Sequence, residues 1–268
     1  MRLLLVCLFW LFAPSAFAQA ELAPRIERLT SEDGATFEAH VFDAGPRAQP
    51  RGAVVLLHGG GWVAGDATWV YPRARQFAAL GMVTVAVDYR LGNPGNATAD
   101  ARSVIRWLRA NAASLNIDPT RVAAYGVSAG GQISVSSAQG ADESARPNAL
   151  VLLSPALDLE EDGWFRRLAG DDAARELSPL RNLRAGLPPT LVLQGDVDTE
   201  TPLPGARRLC DGMRANGDRC VLKVYTGYGH LFTPLGINDR DTPQPDPAIS
   251  AQAGALAEAF LLSLGYAP

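Results

Sequence analysis

One serine, one histidine and a short row of acids carry the chemistry in this sequence. Ser128 sits in RVAAYGVSAGG, Arg121 to Gly131, where an apolar run ends in G-x-S-x-G and a helix-compatible segment follows. That context is a nucleophile elbow. A sharp strand-to-helix turn holds the serine at its tip, and its Oγ projects at the carboxyl end of a sheet, over a helix N-terminus that favours developing negative charge. A serine hydroxyl is a weak nucleophile without a neighbouring base. The chain has three histidines. His40 lies inside an expected strand and packs on the sheet edge, while His58 belongs to a glycine loop that it orients by hydrogen bonding. His230, in YTGYGHLF, is both loop-borne and late in the chain, where it can swing over the sheet, so it is read as the base. The base needs an acid that fixes its tautomer and stabilises the imidazolium. GDVDTETP offers Asp196, Asp198 and Glu200 on one loop, with Asp198 favoured over Asp196.

A second stretch, VVLLHGGGWVAG, stops four apolar residues at His58 and then Gly59, Gly60 and Gly61. Glycine loses the most backbone freedom on folding, so three together after a strand imply that bare backbone is needed there. A phosphate cradle is disfavoured, since no Lys-Ser/Thr follows as in a P-loop. Ester chemistry supplies another use. Attack on an ester carbonyl puts negative charge on its oxygen, and preorganised N–H donors stabilise that charge.

These residues require a scaffold that brings distant loops to one edge. The runs FEAHVF, AVVLLH, VTVAVDY, RVAAYG, ALVLLS, TLVLQG and VLKVYT read as strands. Several are almost wholly apolar, as strands covered on both faces should be. Helical stretches lie between them, at Trp69–Leu80, Thr98–Ala113, Ala129–Ser137, Gly205–Ala215 and Pro247–Leu264. The alternation predicts one α/β domain, a mostly parallel central sheet with helices on both faces, opened by an antiparallel meander. Asp100 and Arg102 are expected to open the second helix, the acid suiting its N-terminal dipole. From Asp158 to Pro188 the pattern is poorer, with charges, Trp164, Phe165 and prolines, and reads as an excursion over the sheet: a short lid or a plain surface connection.

HGGGW, G-x-S-A-G-G, G-x-x-D followed by a proline, and G-H, in that order, resemble the α/β-hydrolase fold serine esterases, nearest to the hormone-sensitive-lipase-like and acyl-esterase branch with the HGGG loop. DYRLG, NIDPTRVAAYGVSAGG and LPPTLVLQGDVDTETP extend the likeness from about Gly52 to Leu235. The resemblance implies a Ser128–His230–Asp198 triad. It also implies an oxyanion hole made by the backbone N–H groups of Gly60 and Gly61, with Gly59 in reserve, and of Ala129 after the nucleophile. No metal or cofactor is required. The sequence departs from the lipase-like branch in two ways: it reads GVSAGG where GDSAGG is frequent, and it has little material for a cap. Little or no cap implies an open, shallow site for short acyl groups, with room for a large alcohol such as a sugar.

Composition bounds the rest. A formal net charge of −4 and no basic run argue against a nucleic-acid partner. The opening MRLLLVCLFWLFAPSAFAQAE has one arginine, an apolar run and an A-x-A site, which reads as a signal peptide over residues 1–18 with the mature chain from 19 to 268. The apolar run is short for a bilayer span. An exported protein, periplasmic or secreted and without stable membrane association after cleavage, is therefore expected. Cys210 and Cys220, flanking DGMRANGDR, are candidates for a disulfide in such a compartment. The same triad also serves amide hydrolysis, as in an arylformamidase or a small peptidase. A non-catalytic binding protein on a hydrolase fold is the reading from another class, and it predicts loss of a triad member.

Overall fold

The computed structural model describes residues 22–45, 47–240 and 242–267. The expected signal peptide, and Cys7 within it, lie outside the described residues. Eight strands form one sheet: β1 (Arg25–Thr30), β2 (Thr36–Phe42), β3 (Arg51–Leu57), β4 (Val83–Asp88), β5 (Ile117–Val127), β6 (Ala149–Leu153), β7 (Thr190–Gly195) and β8 (Cys220–Tyr225). Their order across the sheet is β1-β2-β4-β3-β5-β6-β7-β8. β1 pairs antiparallel with β2, and β2 with β4; every later pairing is parallel. The helices are α1 (Tyr71–Ala79), α2 (Pro94–Ala110), α3 (Ala112–Leu115), α4 (Ala129–Gln139), α5 (Gly163–Leu177), α6 (Leu203–Ala215) and α7 (Pro247–Ser263). This is the alpha/beta hydrolase fold.

The apolar runs are strands because both faces of the sheet are covered. β3 is buried at every position. Its Val54 and Leu56 face α1 and α7, among Phe77, Ala257 and Leu261. Val55 and Leu57 face the opposite way, towards Val104 and Ile105 of α2 and Ile133 of α4. α6 covers the far end of that same face with Leu209 and Met213 against Leu152 and Val192. Each fully buried Val or Leu contributes roughly 1.5–3 kcal/mol by leaving water. The parallel strands all end on one edge of the sheet, and the loops leaving that edge carry the glycines, the serine, the acids and the histidine.

The structure adds to the sequence reading at several elements. β1, RIERLT, is an edge strand with mostly exposed side chains. α2 begins at Pro94, earlier than Thr98, because the Asn93 side chain accepts from Gly95 N and Asn96 N and proline suits the first helical position. Asp100 is therefore not a helix-opening residue. It is buried in the second turn and receives Arg90 through both the backbone N–H and the guanidinium. The Asp158–Pro188 stretch contains α5, interrupted at Gly170 with φ 87° and ψ 165°. Cys210 in α6 and Cys220 at the start of β8 are joined in a disulfide, their Cα atoms 5.1 Å apart.

Candidate active site

Ser128 stands between β5 and α4 with φ 53° and ψ −115°, a strained conformation for a residue with a side chain. The neighbourhood over-determines it. Its N–H donates to Leu153 O at 2.9 Å, and its carbonyl accepts from Gly131 N at 2.9 Å and Ala156 N at 3.1 Å. The glycines of the motif permit the close approach of strand and helix. A Cβ on Gly130 would run into the Leu57 and His58 carbonyls, and one on Gly126 into the Gly130 carbonyl.

The His230 loop delivers its ring to that tip. His230 Nε2 lies 3.1 Å from Ser128 Oγ, and Nδ1 lies 3.2 and 3.1 Å from the two carboxylate oxygens of Asp198. Carboxylate oxygens only accept, so the proton sits on Nδ1 and the Nε2 lone pair faces the serine hydroxyl. The loop bends sharply to do this: Leu231 and Phe232 have φ 52° and 65°, and Leu231 N donates to Ser154 Oγ at 3.2 Å.

Asp198 is held by more than the histidine. Oδ1 accepts from Glu200 N at 3.0 Å and Thr201 N at 2.8 Å, and Oδ2 accepts from Gln194 Nε2 at 2.9 Å. The Thr201 hydroxyl lies 2.9 Å from Oδ2 and 3.0 Å from the Ser154 carbonyl. The other two acids of the loop are placed differently. Asp196 accepts from Gly227 N at 2.7 Å and braces a turn after β8. Glu200 pairs with Arg240 at 3.3 Å; burial pushes its carboxyl above the usual range against the pull of His230 and Arg240. Gln194 and Thr201 have no signature in the sequence reading, since neither titrates nor stands in a motif.

The glycine loop passes directly over Ser128. A Cβ built on Gly59 would lie 3.3 Å from Ser128 Cβ. Gly60 and Gly61 have φ 101° and 56°, a region that favours glycine. The N–H groups of Gly60, Gly61 and Ala129 donate to no group among the described residues, Ala129 being the first residue of α4. His58 is fully buried, stacks on Tyr89 with ring centroids 4.1 Å apart, and its Nδ1 lies 2.7 Å from Gly59 O. Burial holds its pKa below the ordinary histidine value. Trp62 Nε1 donates to Gln132 Oε1 of α4 at 2.9 Å, tying the loop to the helix behind the serine. Phe165 of α5 is buried against the Trp62 ring, and Trp164 Nε1 donates to Gly61 O at 3.3 Å. His40 is far along β2, its Nδ1 2.5 Å from Tyr71 Oη, and has no contact with this cluster.

A cavity of about 250 Å³ borders the site through Val127, Leu153 and Leu231, with Trp69 and Phe232 in its wall. A larger one, about 330 Å³, lies between the start of α2 and α5 and touches none of these residues. Among the described residues no cluster of His, Cys, Asp and Glu could hold a metal ion.

Residues 54–234 match a protein family described as alpha/beta hydrolase fold. Among curated relatives, a carboxylesterase of Mycobacterium tuberculosis, NlhH, is 42% identical over 98 residues, covering 35% of this chain and 31% of its own. Esterase LipC of the same organism is 26% identical over 227 residues, covering 70% and 54%. The chain thus spans between a third and about half of the length of these relatives. Among solved structures, the thermophilic esterase Est2 of the planctomycete Thermogutta terrifontis, with propionate bound, superposes with a TM-score of 0.78 at 29% identity over 92% of this chain and 97% of that one. The butyrate-bound form of the same esterase gives 0.78 and 29% over 92% and 96%.

Proposed function

We propose that this chain, which belongs to the alpha/beta hydrolase fold family, is a serine carboxylesterase that cleaves short-chain acyl esters through an acyl-enzyme. The observation that carries the reading is the hydrogen-bonded line from Ser128 Oγ through His230 to the buried Asp198. Nucleophile, base and orienting acid stand in order, each within reach of the next.

His230 Nε2 takes the Ser128 proton as Oγ attacks the ester carbonyl. The carbonyl oxygen becomes an oxyanion, met by the free N–H groups of Gly60, Gly61 and Ala129, each worth about 3 kcal/mol of barrier by analogy with single-donor deletions. The intermediate collapses, His230 passes its proton to the departing alkoxide, and the acyl group stays on Ser128. Water then enters, gives a proton to His230 and attacks the acyl carbon. Collapse of the second intermediate returns that proton to Ser128 and frees the acid. Asp198 keeps the ring in one tautomer and stabilises the imidazolium in both halves.

Short acyl groups are supported by the modest cavity lined by Val127 and Leu231, the sequence neighbours of Ser128 and His230, and by propionate and butyrate bound in the Thermogutta terrifontis esterase. A bulky leaving group such as a sugar belongs to the same reading, supported by the 47% exposure of Trp164 beside the glycine loop. Export belongs to the same proposal. Its support is the N-terminal pattern and the pairing of Cys210 with Cys220, a bond that persists in oxidising compartments. Among the described residues no helix is long and apolar enough to cross a membrane.

The test is turnover of p-nitrophenyl acetate, butyrate and octanoate by the mature protein beside Ser128→Ala. Acetate or butyrate should dominate, and the variant should lose about 10⁴–10⁶-fold in kcat while melting at the wild-type temperature. Preference for octanoate overturns the short-acyl assignment. Equal turnover by wild type and variant overturns the nucleophile.

A further inference from the structure

Beyond the triad lies another buried carboxylate, Asp239, in the stretch between the His230 loop and α7. It is 7% exposed. Its Oδ2 accepts from His230 N at 2.8 Å and from Thr199 N at 3.1 Å, and its Oδ1 accepts from Thr199 Oγ1 at 2.7 Å. Thr199 is the residue after Asp198. One carboxylate therefore grips the backbone of the base itself and the residue next to the acid. Gly229 makes room for it, since a Cβ there would meet Asp239 Oδ2.

The two loops have other links, at the His230 ring through the Asp198 carboxylate and the Thr201 hydroxyl, 3.2 Å from Nδ1, and at their roots. Asp196 N donates to Tyr225 O at 3.1 Å and Val197 N to Tyr228 O at 3.1 Å, both before the functional residues. At the tips, Asp239 is the part that joins Thr199 to His230 without touching the reacting atoms. All three of its donors are neutral, and among the described residues it forms no ion pair; the neighbouring Arg240 is turned to Glu200. Burial, the largest single influence, pushes this carboxyl up, and the bonds from Thr199 and His230 together outweigh it, so it is held below the usual carboxylate range.

We propose that Asp239 is a positioning residue: its carboxylate clamps the acid-bearing loop to the base-bearing loop and so fixes the separation of Asp198 and His230. The inference rests on the esterase reading for its kinetic arm only. Its consequence for substitutions is specific. Asp239→Asn keeps an oxygen for the two N–H groups, and its amide can donate to Thr199 Oγ1, so the clamp survives the loss of charge. Asp239→Ala removes all three acceptor bonds. Small misplacements of reacting groups cost up to about 100-fold in rate.

The experiment compares both variants with wild type in the full chain, using p-nitrophenyl butyrate and a fluorophosphonate titration of Ser128 to count competent sites. Asp239→Ala should lower kcat per competent site about 10- to 100-fold with KM within about twofold, and Asp239→Asn should recover to within about fivefold of wild type. The second readout is the His230 Nδ1–H resonance in the proton NMR spectrum, expected downfield in wild type and Asp239→Asn and lost by exchange in Asp239→Ala. Should the alanine variant not fold, Thr199→Val removes one of the three donors and is expected to lower kcat in the same direction by less. Unchanged kcat in the folded alanine or valine variant, equal losses in alanine and asparagine, or a persistent Nδ1–H in Asp239→Ala overturns the clamp. If wild type fails to turn over the ester, the carboxylesterase reading falls, while the resonance still decides the role of Asp239.

Discussion

Asp198 and Asp196 share a loop and serve different partners, and substitution separates them. Asp198→Asn leaves the shape and removes the charge that His230 Nδ1 faces, so kcat should fall about 10³–10⁴-fold with little change in KM. Asp196→Asn disturbs a bond to Gly227 N at a turn; it should cost about 1 kcal/mol of stability at most and leave kcat within about twofold. Steady-state kinetics beside a urea melt reads both, and a large kcat loss in Asp196→Asn would reverse the assignment. That Ser128, His230 and Asp198 come together was legible in the sequence because titratable and nucleophilic side chains on loops are few. Gln194, Thr201 and Asp239 were not. Gln194 sits inside an otherwise apolar strand and Thr201 before a proline, where composition suggests packing and turn chemistry. Asp239 reaches the site only through the folding of a loop that carries no motif.

At the scale of elements, the glycine loop is coupled to protonation through His58. Burial holds the folded-state pKa of His58 below its ordinary value near 6.5. A histidine with a lowered folded pKa binds fewer protons folded than unfolded over the window between the two values, so stability falls as pH drops below about 6.5 and levels off below the folded pKa. The melting temperature should therefore decline from pH 7.5 to 5, and His58→Asn, whose side chain can still donate to Gly59 O, should flatten that decline. A slope unchanged in His58→Asn assigns it to other groups. Elements differ in how plainly the sequence announces them. β3 from Ala53 and β5 from Val122 are apolar because helices cover both faces, and that pattern has few alternatives. β1 carries Arg25, Glu27 and Arg28 on an edge and reads as surface loop until its pairing with β2 is seen. The start of α2 hides in NPGNAT, where proline and glycine suggest a turn and only the Asn93 cap converts them to a first helical turn.

For the whole molecule, the Cys210–Cys220 link bears on thermal endurance. It closes a loop of sequence separation 10, for which chain entropy assigns about 3 kcal/mol, model-dependent in origin. At about 2–4 °C per kcal/mol for a domain of this size, reduction or Cys210→Ser/Cys220→Ser should lower the melting temperature by about 6–12 °C. Both sulfurs are remote from Ser128, so kcat at 25 °C should hold. A melting temperature unmoved by reduction counts against the link as a stabilising element. Fold class and the parallel sheet followed from alternation alone. The placement of α5 did not: its charges and the break at Gly170 conceal the fact that Phe165 locks it to Trp62.

The bond from the Trp164 indole to the Gly61 carbonyl also gives the molecule an optical gauge. Trp62 is 2% exposed, whereas Trp164 is 47% exposed and is bonded to the glycine loop proposed to receive the oxyanion. Its emission should respond each time Ser128 is acylated and relax each time water clears it. Stopped-flow fluorescence would then time the two halves of the catalytic cycle without a chromogenic leaving group, and colourless esters become as easy to follow as dyed ones. Trp164→Phe should remove the part of the signal that comes from this indole, and Trp69→Phe the part that comes from the 59% exposed indole in the cavity wall, while the buried Trp62 still emits.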